Sequence, residues 1–425
     1  MITQNEYKIR RENILDGLSV NSISVVFSNS YKNRSNDTEF PYRQNSNFYY
    51  LTGFKEDKSI LMFVKTKKET KTILFVEKKD KLVELWNGKR LGNKEAKKIF
   101  LVDEIYEGAE FESILKKVLS DANTFYYDFD LDYSKLKVLK RYTKKLATYK
   151  NIALLINKMR LIKSKSEIIL IKKAINITKD AHHEAMGFSK IDKNEYQLQA
   201  EIEYTFKKNG AYSDAYTSIV ACGNSANTLH YINNNSSLVD GELILIDAGC
   251  EYDYYASDIT RTIPVNGKFS APQRELYNMV LDVQLKIINM IKPNIKRTKL
   301  QKKSEELLCQ GMIDLGILQG DLKELIKEKK HKQYYPHGIG HWMGIDVHDE
   351  CPYKDENGEE ILLQEGMVLT IEPGIYCNKN DKTIPKKYRG IGIRIEDDIL
   401  VTKNGCENLS IDIAKSVKEI ESISF

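Results

Sequence analysis

The sequence predicts an α/β domain over residues 1–157 followed by an α+β domain over residues 158–425. Three observations carry that reading. A length of 425 residues calls for two or three domains at about 150 residues each. Before Asn157, short apolar or aromatic runs alternate with helix-like stretches. After it, long helical periodicities bracket apolar strands, which suits antiparallel strands packed with helices.

In the first domain, residues 24–27, 59–64, 71–76 and 124–127 are short apolar or aromatic runs of strand type. Residues 6–15, 112–119 and 133–146 have helical patterning, and 28–44 is a loop-rich insert. No glycine loop of the phosphate-cradling kind occurs there. In the second domain, Ser164-Lys-Ser-Glu167 is a capping-box pattern opening a helix to about Phe188. A helix over 195–209 follows, with Leu198, Ile202 and Phe206 on one face and Gly210 as its stop. Ser270-Ala-Pro-Gln273 opens another, carrying Leu276, Val280, Val283, Ile287 and Ile291 at helical spacing before Pro293. Thr298-Lys-Leu-Gln301 is expected to cap one more, ending near Gly316. Strands are expected over 242–247, 259–265, 367–371 and 390–401. The lysine-rich run 323–332 also holds Glu324 and Glu328 and is expected to be a solvated helix face.

Composition narrows the function. Lys plus Arg number 65 against 60 Asp plus Glu, a net charge of +5, too balanced for an electrostatic nucleic-acid or membrane-surface binder. No run approaches 18 apolar residues, so no membrane span is expected. The polar start, Met1-Ile-Thr-Gln-Asn-Glu-Tyr-Lys8, does not read as an export signal. Six scattered cysteines (Cys222, Cys250, Cys309, Cys351, Cys377, Cys406) then suit free thiols in a reducing cytoplasm.

Chemistry is concentrated in the second domain. Of seven histidines, His230, His337, His341 and His348 sit in short motifs, whereas His182 and His183 fall in mid-helix as ordinary satisfied imidazoles. Asp247 ends the apolar strand Leu243-Ile-Leu-Ile-Asp247, and an isolated carboxylate buried there would be too costly to stay charged. Asp258 follows in Ser257-Asp-Ile-Thr-Arg-Thr262, with Gly249 and residues 252–256 able to bend the chain and bring the two acids together. Glu372 and Glu396 repeat the pattern after apolar runs, and strand alternation puts Arg394 with Glu396 on the face opposite Ile391, Ile393 and Ile395. Four such carboxylates repel one another. Two divalent ions would balance their charge and leave room for a bridging hydroxide, which is hydrolytic chemistry. Oxygen ligands with one imidazole suit Mn²⁺, Co²⁺, Fe²⁺ or Zn²⁺. Arg394 either pairs with an acid structurally or supports the site. A cysteine nucleophile has no histidine to activate it, and no Gly-x-Ser-x-Gly elbow exists.

These motifs resemble the metal-binding blocks of the M24 peptidases, whose catalytic domain has the "pita-bread" fold. Leu-Ile-Asp247-Ala-Gly, Ser-Asp258-Ile-Thr-Arg-Thr, His337-Gly-Ile-Gly-His341-Trp-Met-Gly-Ile-Asp-Val-His348-Asp, Thr-Ile-Glu372-Pro-Gly and Gly-Ile-Arg394-Ile-Glu396-Asp-Asp occur in the family order. The block Pro41-Tyr-Arg-Gln-Asn-Ser-Asn-Phe-Tyr-Tyr-Leu-Thr-Gly-Phe54 is similar to the N-terminal domain of the Xaa-Pro aminopeptidases, also called aminopeptidase P. The resemblance implies cleavage of the bond between an N-terminal residue and a penultimate proline, by a hydroxide bridging two divalent ions, most simply Mn²⁺. It makes Asp247, Asp258, His341, Glu372 and Glu396 the ligands, with Asp258 and Glu396 bridging. It makes His230, His337 and His348 the residues that bind substrate and stabilise the tetrahedral intermediate, and gives Glu372 the proton traffic. Arg394 and Tyr376 would support the ligands and line the pocket, and Asp37 and Trp86 would contact substrate, reaching a neighbouring subunit's site. It also implies a homodimer or homotetramer.

Within the family, methionine aminopeptidases usually lack the first domain, and creatinases lose the five ligands. Prolidase is the alternative, because Gly340 stands where aminopeptidase P often has serine. His341-Trp-Met-Gly and the Pro41–Phe54 block favour aminopeptidase P. A non-catalytic pita-bread binding protein is the remoter alternative; such proteins typically lose ligands, and none is lost here.

Overall fold

The computed structural model describes residues 1–423 and divides into two units, Met1–Arg160 and Leu161–Phe425, the last two residues lying outside those described. The division falls at Arg160 because helix Ala153–Arg160 packs within the first unit, where the Arg160 guanidinium donates to Asn47 Oδ1 at 2.8 Å. Among the described residues no helix is long and apolar enough to cross a membrane.

The first unit is built on a six-stranded mixed sheet. Its order is Glu104–Glu107, Thr70–Val76, Ile60–Lys65, Ser22–Phe27, Thr124–Tyr127, Thr148–Asn151. The three middle strands, from Thr70–Val76 to Ser22–Phe27, are antiparallel and the outer pairings parallel. Ile23, Val25, Met62, Val64, Ile73 and Phe75 alternate onto one face, under Phe111, Leu115 and Leu139 from the helices. The helices Ser46–Thr52, Lys81–Asn87 and Gly92–Ile99 were not expected, since one or two turns leave too little periodicity to read. Lys81–Asn87 buries none of its residues, and Leu82, Leu85 and Trp86 stand in solvent.

In the second unit, both expected capping boxes form. Ser164 and Glu167 exchange hydrogen bonds at the start of helix Lys165–Phe188, and Gln273 Oε1 accepts from Ser270 N ahead of helix Ala271–Ile288. Thr298 departs from expectation. Helix Arg297–Asp314 begins one residue before it, and its hydroxyl donates to Glu360 instead of capping. These helices, with Glu195–Lys208, cover strands whose inner faces form one large apolar core.

Leu243–Asp247 runs between Ile219–Cys222 and Thr260–Pro264, antiparallel to both, with Asp247 opposite Ile219 and Thr260. The chain then doubles back through Cys250–Tyr252 and Tyr255–Ala256. A Cβ on Gly249 would lie 1.9 Å from the Ser257 carbonyl oxygen, so only glycine lets the returning chain pass this closely. Asp258 thereby returns beside Asp247.

The single strand expected over 390–401 is two strands. Ile391–Arg394 pairs with Gly374–Cys377, and Asp397–Val401 pairs with Val368–Ile371. The ladder breaks between these pairings, where Glu372 and Pro373, the latter without an N–H, lie level with Glu396 and Ile395. Ile395 N donates to Pro373 O, and Glu396 N turns to Thr260 O. Glu372 and Glu396 therefore face each other across a matched interruption, where backbone pairing gives way to side-chain chemistry.

Candidate functional site

The interrupted ladder, the Asp247 strand and the His337–His348 segment close around a cavity of about 500 Å³. Asp247, Asp258, His341, Glu372, Glu396, His230, His337, His348 and Arg394 all line it. Tyr376 reaches it through hydrogen bonds to His337 and Arg394. The alternation expected around Glu396 survives the strand break: Arg394 and Glu396 face the cavity, and Ile393 and Ile395 enter the core. Asp37 and Trp86 lie exposed on the first unit.

The acids are held close. The Tyr216 hydroxyl lies 2.7 Å from Asp247 Oδ1 and 2.6 Å from Asp258 Oδ1, tying the two carboxylates together. Arg394 hydrogen-bonds Asp247 through Nη2, donates to the Tyr376 hydroxyl through Nη1 at 2.9 Å, and to Thr260 Oγ1 through Nε at 3.1 Å. Thr260 in turn donates to Glu396 Oε2 at 2.7 Å. Arg394 is thus both an ion-pair partner and a support of the site. Tyr216 and Thr260 were not picked out from the sequence. Thr260 sits two residues after Asp258 in its motif, whereas Tyr216 has no pattern to mark it.

His341 shows what the cluster needs. Its Nδ1 faces the Trp342 carbonyl at 3.1 Å and so carries the hydrogen, which aims Nε2 at Asp258 Oδ2 (3.3 Å) and Glu372 Oε1 (3.8 Å). A bare nitrogen lone pair pointed at two carboxylates is unfavourable unless a positive charge lies between them. Burial opposes the imidazolium, but Asp258 and Glu372 raise it to about 9. Burial pushes Glu372 up to about 7 and Glu396 well above the carboxylate range, the latter with added repulsion from Asp258. Four carboxylates line the cavity against the guanidinium of Arg394. Asp247, Asp258 and Glu396 bring ligand atoms within 4.8 Å of one another, as do His341, Glu372 and Glu396, so Glu396 is common to two triads. A third group joins Asp258, His341 and His348. The donor set fits divalent ions.

The remaining histidines are arranged differently. His337 Nδ1 donates to the Gly338 carbonyl at 2.8 Å, so Nε2 accepts from the Tyr376 hydroxyl at 2.8 Å. Burial, with Arg394 nearby, lowers this imidazole to about 3 and keeps it neutral. The His348 ring lies edge-on to His341 with centroids 4.1 Å apart. His230 is exposed on the cavity wall. His182 donates to the Ala248 carbonyl and His183 accepts from Ala414 N, and neither lines the cavity.

Residues 169–403 match the model of metallopeptidase family M24, and residues 7–126 that of the aminopeptidase P N-terminal domain. A curated Xaa-Pro aminopeptidase of Haemophilus influenzae is 39% identical over 99% of this chain and 97% of its own length. Among solved structures, proline aminopeptidase P II from Yersinia pestis superposes with a TM-score of 0.96 at 37% identity, covering 100% of this chain and 99% of that one. Zn-substituted Escherichia coli aminopeptidase P in complex with product gives 0.96 at 36% identity, over 100% and 98% of the two chains.

Proposed function

The chain belongs to metallopeptidase family M24, and from that premise we propose how its pita-bread unit works. It is a metallo-aminopeptidase that hydrolyses the bond between an N-terminal residue and a penultimate proline. One observation supports the mechanism most directly: four carboxylates converge on one cavity with an imidazole whose free nitrogen faces two of them.

Two divalent ions would be held by Asp247, Asp258, His341, Glu372 and Glu396, with Asp258 and Glu396 shared. Mn²⁺ is our assignment, and Co²⁺, Zn²⁺ or Fe²⁺ share its ligand preferences. When bound, such a pair supplies a water nucleophile at neutral pH and polarises a carbonyl. The protein's own groups do the rest. An Xaa-Pro bond is a tertiary amide whose nitrogen carries no hydrogen, so that nitrogen must gain a proton as it leaves. Glu372, at the cavity and within reach of His337, carries that proton. His348 or His230 donates to the carbonyl oxygen as negative charge builds there. His337, fixed as a neutral acceptor toward Tyr376, orients the peptide backbone. Arg394 holds Asp247 and Tyr376 in register. Asp37 and Trp86 would add contacts to substrate across a subunit boundary, in a homodimer or homotetramer located in the cytoplasm.

Gly340 does not favour prolidase here. A Cβ at that position would lie 1.9 Å from the Thr370 carbonyl oxygen, so glycine answers a local close approach. The test is hydrolysis of an Xaa-Pro-Pro tripeptide beside the Xaa-Pro dipeptide, with Mn²⁺ and again with chelator. Preference for the tripeptide, abolished by chelator, is the expected result. Cleavage of the dipeptide alone would make the enzyme a prolidase, and silence on both with metal bound would leave a binding protein.

A further inference from the structure

Lys163 and Asp349 form an ion pair that touches none of the proposed ligands and is sealed from solvent. Nζ lies 3.0 Å from Oδ2, and both side chains are 1% exposed. Burial opposes the ammonium, yet Asp349, with Cys351 and Glu167 adding to it, more than offsets this and holds it above the ordinary lysine value. The pair lies directly against Gly344. A Cβ there would come within 2.5 Å of Asp349 Oδ2 and 2.8 Å of Lys163 Cε.

A buried ion pair is a poor device for stability alone, since well-packed apolar side chains of similar volume often do as well or better. What it adds is direction. Asp349 is the chain neighbour of His348, and the segment carrying that histidine is fastened at both ends. At one end, His341 and Thr370 pair through their backbones, with Thr370 N donating to His341 O at 3.0 Å. At the other, Asp349 N donates to Trp342 O at 2.9 Å, and its carboxylate is gripped by Lys163. Lys163 is itself anchored, its own N–H donating to Gly366 O at 2.8 Å just before helix Lys165–Phe188.

We propose that Lys163 and Asp349 are positioning residues for the hydrolysis: gripping the Asp349 carboxylate behind Gly344 aims the neighbouring His348 into the cavity beside His341. The inference rests on the role proposed for His348.

A double-mutant cycle tests it, using the full chain loaded with Mn²⁺ and the Xaa-Pro-Pro tripeptide. Asp349→Asn, or Lys163→Gln should the first fail to fold, is expected to lower kcat about tenfold or more with metal content unchanged. His348→Ala should lower kcat as well. In the His348→Ala background, Asp349→Asn should then cost less than about twofold further, because the group it aims is gone. Losses that multiply in the double variant would overturn the inference and leave a purely structural ion pair. Normal turnover in His348→Ala would overturn the role of His348 itself. Normal kcat in both pair variants would overturn the inference while leaving His348 in place.

Discussion

Glu396 and Asp397 are chain neighbours, 2% and 0% exposed, and they meet the problem of a buried charge in opposite ways. Asp397 turns from the cavity to Arg261 Nη2 at 2.7 Å and to Lys415 Nζ, with Asn408 and Ser410 donating besides. Burial works against its charge, yet those two cations bring its carboxyl down to about 2. Glu396 turns into the cavity, where it meets Asp258, Glu372 and Asp247, and burial pushes its carboxyl well above the usual range. One acid carries its counter-charges in the sequence. The other, in our proposal, takes its counter-charge from bound metal. Burial and position in the chain are nearly the same for both, so neither distinguishes a structural acid from a reactive one. The sign of the neighbours does.

Removing either carboxylate should break this contrast in a characteristic direction. Glu396→Gln is expected to lower turnover on the order of 10⁴-fold and to lose bound metal, because a proposed ligand common to two of the three groups disappears. Its metal-free form should be no less stable than the parent, since a source of repulsion is gone. Kinetics, metal analysis and thermal unfolding on one preparation check all three. Asp397→Asn should do the reverse. Leaving Arg261 and Lys415 buried without their counter-charge costs about 3–5 kcal/mol, read by denaturant unfolding, while the folded fraction keeps its metal and most of its turnover.

A smaller effect sharpens the picture on the cavity side. Tyr376→Phe removes the hydroxyl that accepts from Arg394 and donates to His337. Turnover should fall about tenfold, equivalent to about 1.4 kcal/mol, with metal binding retained. Loss of metal in this variant would mean that Arg394 needs Tyr376 to hold Asp247.

His182 is the third way to bury an ionisable group, as a neutral one. Burial lowers its imidazole from 6.5 to about 3. Between those values the unfolded chain binds a proton that the folded chain refuses. The stability it contributes is therefore complete above about pH 6.5 and is lost as pH falls toward about 3. His182→Asn, which cannot titrate, should show a flatter stability profile across that window by denaturant midpoint.

Much of the second unit was legible because its signals are local. Ser164 with Glu167, and Ser270 with Gln273, announce helix starts three residues apart. Carboxylates at the ends of apolar runs announce a site. What escaped depends on distant partners. Tyr216 joins the site only because the sheet carries it to Asp247 and Asp258, 31 and 42 residues onward. The break at Ile395 and Glu396 is caused by Pro373 on the opposite strand, so the run 390–401 holds no sign of it. Thr298 has a capping residue's chemistry, but its hydroxyl donates to Glu360, 62 residues away, instead of accepting from the helix.

The chain's two tryptophans give it a built-in optical assay. Trp86 stands on the solvent side of helix Lys81–Asn87 at 85% exposure, whereas Trp342 is 1% exposed, stacked on Tyr353, and adjoins His341 in the chain. Emission from the first should be red-shifted and open to a neutral quencher, and that of the second blue and protected. In a Trp86→Phe protein the remaining signal comes from the residue beside the imidazole, so metal loading can be followed by light. In the native chain, shielding of Trp86 that grows with protein concentration would report subunits coming together.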